Sequence, residues 1–107
     1  MFVNHKNMVY ITQLIYIREG QEVVFDQFEA IAIPSISRYN GRMLLRVRPT
    51  GESFIGEQAG RPYEIHLAEF ETETDFANYM QDEERKRFLE LKEQSIRSAL
   101  VIKGQRL

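Results

Sequence analysis

The 107-residue chain has no cysteine and no tryptophan. Without a thiol there is no disulfide, no thiolate nucleophile and no sulfur ligand for a metal. Histidine is nearly as scarce. Only His5 and His66 are present, and only His66 falls within a predicted element, which argues against a multi-histidine metal site, and no metal or other cofactor is expected. There is no basic excess either: 14 Lys and Arg stand against 16 Asp and Glu, a net charge of −2, which argues against a dedicated nucleic-acid binder. Long apolar runs are also missing. The stretch from Met8 to Ile17 is interrupted by Thr12 and Gln13, is followed by no small-residue cleavage site, and falls short of the ~20 residues that span a membrane. A cytoplasmic protein with no membrane partner is expected.

What is present suits a folded domain. Hydrophobic residues make up 43% of the chain and charged residues 28%, with seven Phe and five Tyr to build a core. The length predicts one domain over residues 8–107 behind a loose tail at 1–7. Charge is unevenly placed: residues 64–84 carry eight acids and no Lys or Arg, and residues 85–107 carry seven bases against two acids. The plainest reading is a helix with internal ion pairs, since Asp82/Lys86, Glu83/Arg87 and Glu93/Arg97 each stand four apart with the acid first.

The pattern predicts a β-branched, aromatic-rich strand at Val9–Ile17 and a helix over 21–39, with Phe25, Phe28, Ala32, Ile36 and Tyr39 on one stripe. Pro34 should kink that helix, and Asn40-Gly41 should close it. Strands follow at 43–48 and 63–70, separated by a loop holding Gly51, Gly56 and Gly60. Thr72 and Asp75 read as a capping box opening a second helical tract to Ala99, with a break near Asp82. A fourth strand is predicted at 100–103.

This order, βαββαβ, predicts the ferredoxin-like α+β fold, an antiparallel sheet with both helices on one face. Such a sheet should be polar on its other face. The first strand instead puts Tyr10, Leu14 and Tyr16 on one side and Val9, Ile11, Ile15 and Ile17 on the other. Both sides are apolar, and nothing in the chain remains to cover the second. The predicted partner is a second copy, sheet against sheet.

The tract Tyr39-Asn40-Gly41-Arg42-x-Leu44-x-Arg46 resembles the Tyr-Gly-Gly-Arg-x-Leu-x-Arg signature of a small, functionally uncharacterised bacterial family. Pro62 with Glu69-Phe70, and Glu57 in the preceding loop, resemble the same family, and the likeness runs from about Val9 to Gly104. The resemblance implies a dimeric α+β barrel. Asn40 replaces a glycine of the signature, and Gln58-Ala59-Gly60 departs from the family's usual loop. The superfamily includes cofactor-free monooxygenases, isomerases, haem-handling enzymes and non-catalytic members, so the fold does not choose a reaction.

Three sites are candidates. With the third strand between the first two, Gln13, His66 and Arg46 fall in one row, where the imidazole could act as a general base beside an amide and a fixed cation. The plainer reading is a structural histidine with salt bridges from Arg46 or Arg48 to Glu69 or Glu57. A second site is a cavity between helices and sheet lined by Phe25, Phe28, Tyr39, Phe76 and Tyr79, though an aromatic stripe is also what a simple core looks like. Tyr39, Glu69, Phe28 and Phe76 are the candidate substrate contacts. The third, an RNA-recognition surface with the same strand order, fails because Tyr63-Glu64-Ile65-His66-Leu67-Ala68 lacks the stacking aromatics. The expected function is binding, and cofactor-free monooxygenase- or isomerase-like conversion, of a small organic molecule; the alternative is a non-catalytic assembly domain.

Overall fold

A computed structural model describes residues 7–56 and 60–107. The expected tail, Asn7 apart, and the loop glutamate Glu57 lie outside the described residues. The elements run β1 (Val9–Ile17), α1 (Glu22–Ser35), a 3₁₀ turn (Ile36–Tyr39), β2 (Gly41–Val47), a second 3₁₀ turn (Gly51–Ser53), β3 (Glu64–Phe70), α2 (Glu73–Met80), α3 (Glu83–Arg87), α4 (Leu89–Ser95) and β4 (Ile96–Gly104). The sheet has the order β2-β3-β1-β4, and its three pairings are all antiparallel. This is the predicted α+β architecture.

The long first helix divides where Pro34 removes an N–H. α1 ends at Ser35 and the chain tightens into the 3₁₀ turn, which Asn40 closes at φ 54°, a left-handed conformation that asparagine tolerates. Phe25, Phe28, Ala32 and Ile36 form the buried stripe as predicted. Gly41 follows because there is no room for a side chain: a Cβ there would stand 2.5 Å from Phe70 Cε1 and 2.6 Å from Ile36 Cγ2. Val9, Ile11, Ile36 and Phe70 make the central core cluster, with Tyr39, Met43, Phe76 and Tyr79 packed on it.

The second helical tract departs from its prediction. The expected break falls at Gln81–Asp82, but a second comes at Phe88, and β4 begins at Ile96 rather than Leu100. The cause is tertiary, because Ile17 to Tyr10 of β1 offer a ladder that pairs with Ile96 to Gly104. None of the three expected i,i+4 ion pairs forms among the described residues. Asp82 turns instead to Arg38 Nη2 at 2.8 Å and caps α3 by accepting from Arg85 N at 3.0 Å. Lys86 meets Glu83 at i,i+3, and Arg97 is already in β4. At the N-terminus of α2 only half of a capping box is made. Asp75 N donates to Thr72 Oγ1 at 3.0 Å, while the Asp75 carboxylate accepts from the Thr72 hydroxyl and from Asn40 Nδ2.

A bulge at Leu44–Leu45 shifts the β2 register between Met43↔Ala68 and Leu45↔Leu67. Beyond it, Arg46 stands opposite His66, which itself stands opposite Gln13. On the helix-covered face lie Ile11, Gln13 and Ile15 with Glu64, His66 and Ala68. The other face carries Tyr10, Leu14, Tyr16, Ile65 and Leu67 and remains apolar and open; on it Leu45, Leu100 and Ile102 are each about half exposed, at 50%, 52% and 49%.

Gly41→Ala tests the packing at the start of β2. The added methyl must displace Phe70 and Ile36, and we expect a loss of about 1–3 kcal/mol in denaturant unfolding, with an unchanged m-value.

Candidate functional site

The site is assembled around Glu64, the first residue of β3, whose side chain is fully buried. A lone buried carboxylate would be prohibitive, and this one is surrounded by donors. Arg46 Nε reaches Oε2 at 2.9 Å, Arg48 Nε reaches Oε1 at 2.6 Å, and His66 Nε2 is hydrogen-bonded to Oε2. Arg48 also holds Asp26 of α1 at 2.5 Å and lies over the Tyr63 ring at 4.9 Å. Burial alone would raise the Glu64 pKa, but the bonds from His66, Arg46 and Arg48 hold it at about 2. The carboxylate is therefore ionised at neutral pH and can only accept. It follows that the proton in the His66–Glu64 bond belongs to the imidazole, which fixes the neutral ring as the Nε2–H tautomer and leaves Nδ1 as its basic nitrogen.

Glu29 completes the cluster from above. It occupies the apolar stripe of α1, four residues after Phe25, and is 5% exposed. Its Oε1 lies 3.8 Å from His66 Nε2, and no hydrogen bond to its side chain is made among the described residues. Burial pushes its pKa up to about 7, with His66 nearby the main opposing influence. Two carboxyl groups on one histidine are thus held in different states: Glu64 ionised, Glu29 able to gain and release a proton near neutrality.

Below Glu29 a partly open cavity of about 110 Å³ separates helices from sheet, with Gln13, His66, Phe28, Glu29, Phe76 and Tyr79 in its wall. On its other side Glu29 borders an open groove with Asp26, Arg46, Arg48 and Glu64. Glu29 thus connects the groove with the interior. The expected row Gln13–His66–Arg46 is in place, with Gln13 and His66 at the cavity and Arg46 in the groove. Of the expected aromatic lining, Phe28, Phe76 and Tyr79 are there. Phe25 packs edge-on against Tyr63 at 5.7 Å, and Tyr39 against Tyr79 at 6.2 Å, both away from the wall. Glu69 is on the opposite face, bound to Arg42 Nη2 at 2.6 Å. Arg46 and Arg48 converge on Glu64 rather than on Glu69, and Glu57, the other expected partner, lies outside the described residues. Glu29 and Glu64 escaped the sequence reading, although an acid within an apolar helical stripe was a visible signal for the first.

One carboxylate oxygen each from Glu29 and Glu64 and a His66 ring nitrogen lie within 4.8 Å of one another, a donor set that could in principle hold a divalent cation. Both Glu64 oxygens are already engaged by two guanidinium groups, whose charge opposes a cation there. The arrangement suits proton handling better.

No protein-family model matches the chain, and no curated protein does. Solved structures do match. The RPA0582 protein of unknown function from Rhodopseudomonas palustris superposes with a TM-score of 0.80 at 13% identity, over 95% of this chain and 84% of that one. A DABB family protein with a ferredoxin-like fold from Mesorhizobium loti matches with a TM-score of 0.69 at 14% identity, over 94% and 98%. A dimeric protein of unknown function and ferredoxin-like fold from Bacteroides fragilis gives 0.68 at 14%, over 98% and 100%. The fold is ferredoxin-like. The Rhodopseudomonas palustris and Bacteroides fragilis proteins are themselves of unknown function.

The two acids of this ferredoxin-like domain give opposite pH signatures. The folded pKa of Glu29 lies above its unfolded value of 4.5, so its contribution is fully present below that value and lost as pH rises to about 7. Glu64 is depressed, so its contribution is present above 4.5 and lost as pH falls towards about 2. Glu29→Gln should remove the first slope and gain up to about 3 kcal/mol at pH 8, whereas Glu64→Gln should cost about 3–5 kcal/mol there. Urea unfolding across pH 4–8 measures both.

Proposed function

We propose that the protein is a cytoplasmic homodimer that binds a small organic molecule in the cavity and moves protons on it without a cofactor. The observation that carries this reading is the buried Glu29–His66–Glu64 cluster, of which Glu29 and His66 line a partly open cavity. Glu64 orients the imidazole and would stabilise it when charged, as a carboxylate does for a catalytic histidine. His66 Nδ1 takes a proton from a carbon next to a carbonyl, and Glu29, carrying its own proton, gives it to the carbonyl oxygen. The C–H bond breaks, an O–H bond forms, and a ketone becomes an enol; reversal at another carbon completes an isomerisation. Gln13, in the same wall, offers an amide N–H to the developing oxyanion.

The exposed apolar sheet face supports the homodimer, as does the dimeric state of the Bacteroides fragilis neighbour. The same face also supports the second reading, a non-catalytic assembly domain, because it needs a partner whether or not the cavity is used. Within the described residues no helix is long and apolar enough to cross a membrane.

Two measurements separate these readings. A metabolite-library thermal-shift screen should yield a carbonyl compound that stabilises the protein by several degrees, and whose α-hydrogen exchanges with deuterium in NMR. His66→Ala and Glu29→Gln should each slow that exchange by about 10²-fold or more. A library with no binder, or exchange indifferent to both substitutions, leaves only the assembly role. Light scattering at micromolar concentration should give twice the 12.6 kDa of the chain, and Leu100→Glu should return it to the monomer. A monomer before any substitution refutes the dimer.

A further inference from the structure

The helix-side wall of the cavity carries two cations that the proton-moving cluster does not use. Arg85 of α3 and Lys92 of α4 both line it, and among the described residues neither has a carboxylate partner. Arg85 is nevertheless held in place. Its backbone N–H donates to Asp82 Oδ1, its guanidinium lies over the Tyr79 ring at 4.8 Å, and Nη1 donates to Met80 O at 3.4 Å. Nε is left out of this support. It is the one buried side-chain nitrogen among the described residues with no hydrogen-bond partner. A buried N–H of a charged group left unmade is expensive, and it calls for an acceptor in the cavity.

Lys92 strengthens the case. Burial lowers its pKa and the neighbouring Arg85 lowers it further, against the smaller opposing pull of Glu93, so the two cations repel across the helix-side wall. An anion between them would relieve that repulsion and fill the empty bond at Nε. The sheet-side wall, in contrast, presents Gln13 and His66 among Ile11, Ile15 and Ala68. The cavity is thus apolar in the middle, cationic on the helix side and proton-active on the sheet side and at Glu29. Its volume, about 110 Å³, is somewhat below the ~150 Å³ that takes up a benzene ring, and Met43 and Met80 in its wall can adjust.

We propose that the ligand of this cavity is a small organic acid, up to about one ring in size, whose carboxylate accepts from Arg85 Nε and pairs with Lys92. The inference deepens the reading of the cavity as a substrate site and rests on it. It also gives that chemistry an orientation: the carboxylate is fixed at the helices, and the far end of the molecule is delivered to His66.

Calorimetric titration of the intact protein at pH 7 with benzoate and butyrate, each against its neutral amide, tests the assignment, with the His66 ring signal followed by NMR in parallel. At least one acid should bind roughly tenfold tighter than its amide, and Arg85→Gln should erase that preference while Lys92→Met reduces it severalfold. The acid–amide comparison on the unaltered protein stands even if a variant folds poorly. Amides that bind as well as the acids and shift the His66 signal would overturn the organic-acid assignment while the cavity reading survives. Absence of binding by all four compounds would overturn it as well, and the cavity reading would then be decided by the library screen.

Discussion

The ionised, fully buried carboxylate of Glu64 is the constraint around which the rest is arranged. Such a group persists in an interior only if it is enclosed by donors, and here three different positions supply them: the β3 histidine two residues on, and two arginines from β2 and its end. Because Arg48 also holds Asp26, the network reaches α1 and clamps it to the open edge of the sheet. That clamp leaves Glu29, one turn further along α1, over the imidazole. A structural necessity, enclosing one charge, thereby generates a second acid with an altered proton affinity. Stability and chemistry share one set of side chains, so substitutions there will rarely affect only one of them.

Much of the fold was legible in the chain because its signals were redundant. β1 was bounded by its β-branched and aromatic run, and α1 by its stripe; the βαββαβ order then placed β3 centrally and brought Gln13, His66 and Arg46 into one row. Glu64 was harder to read, since nothing local distinguishes a strand-end glutamate in water from one enclosed by guanidinium groups. The ends of the second helical tract were not legible for a similar reason. Leu89 to Ala99 reads as amphipathic helix, and only the free edge of β1 converts its last part into strand. The charge asymmetry after Arg85 misled in the same way: acids and bases at helical spacing found partners in other elements, Asp82 with Arg38 being the clearest case.

The cavity and the open sheet face are separate demands on the same small domain. The first is defined by helix packing and needs no second copy. The second is an apolar surface that includes Leu100 and Ile102, each about half exposed. The cavity and the open apolar surface thus lie on opposite faces of one sheet.

The bulge at Leu44–Leu45 carries a warning about motifs. In an unbroken strand Arg42 and Arg46, an even number apart, would lie on the same side. The extra residue sends Arg42 to Glu69 on the open face and Arg46 to Glu64 beneath the helices. A relative with the same arginine-bearing letters but no bulge would align with this chain without a mismatch. Its interior would nonetheless have exchanged an arginine for a leucine. Shared spelling along β2 does not by itself mean a shared electrostatic interior; the register in which the strand pairs with β3 must be compared first.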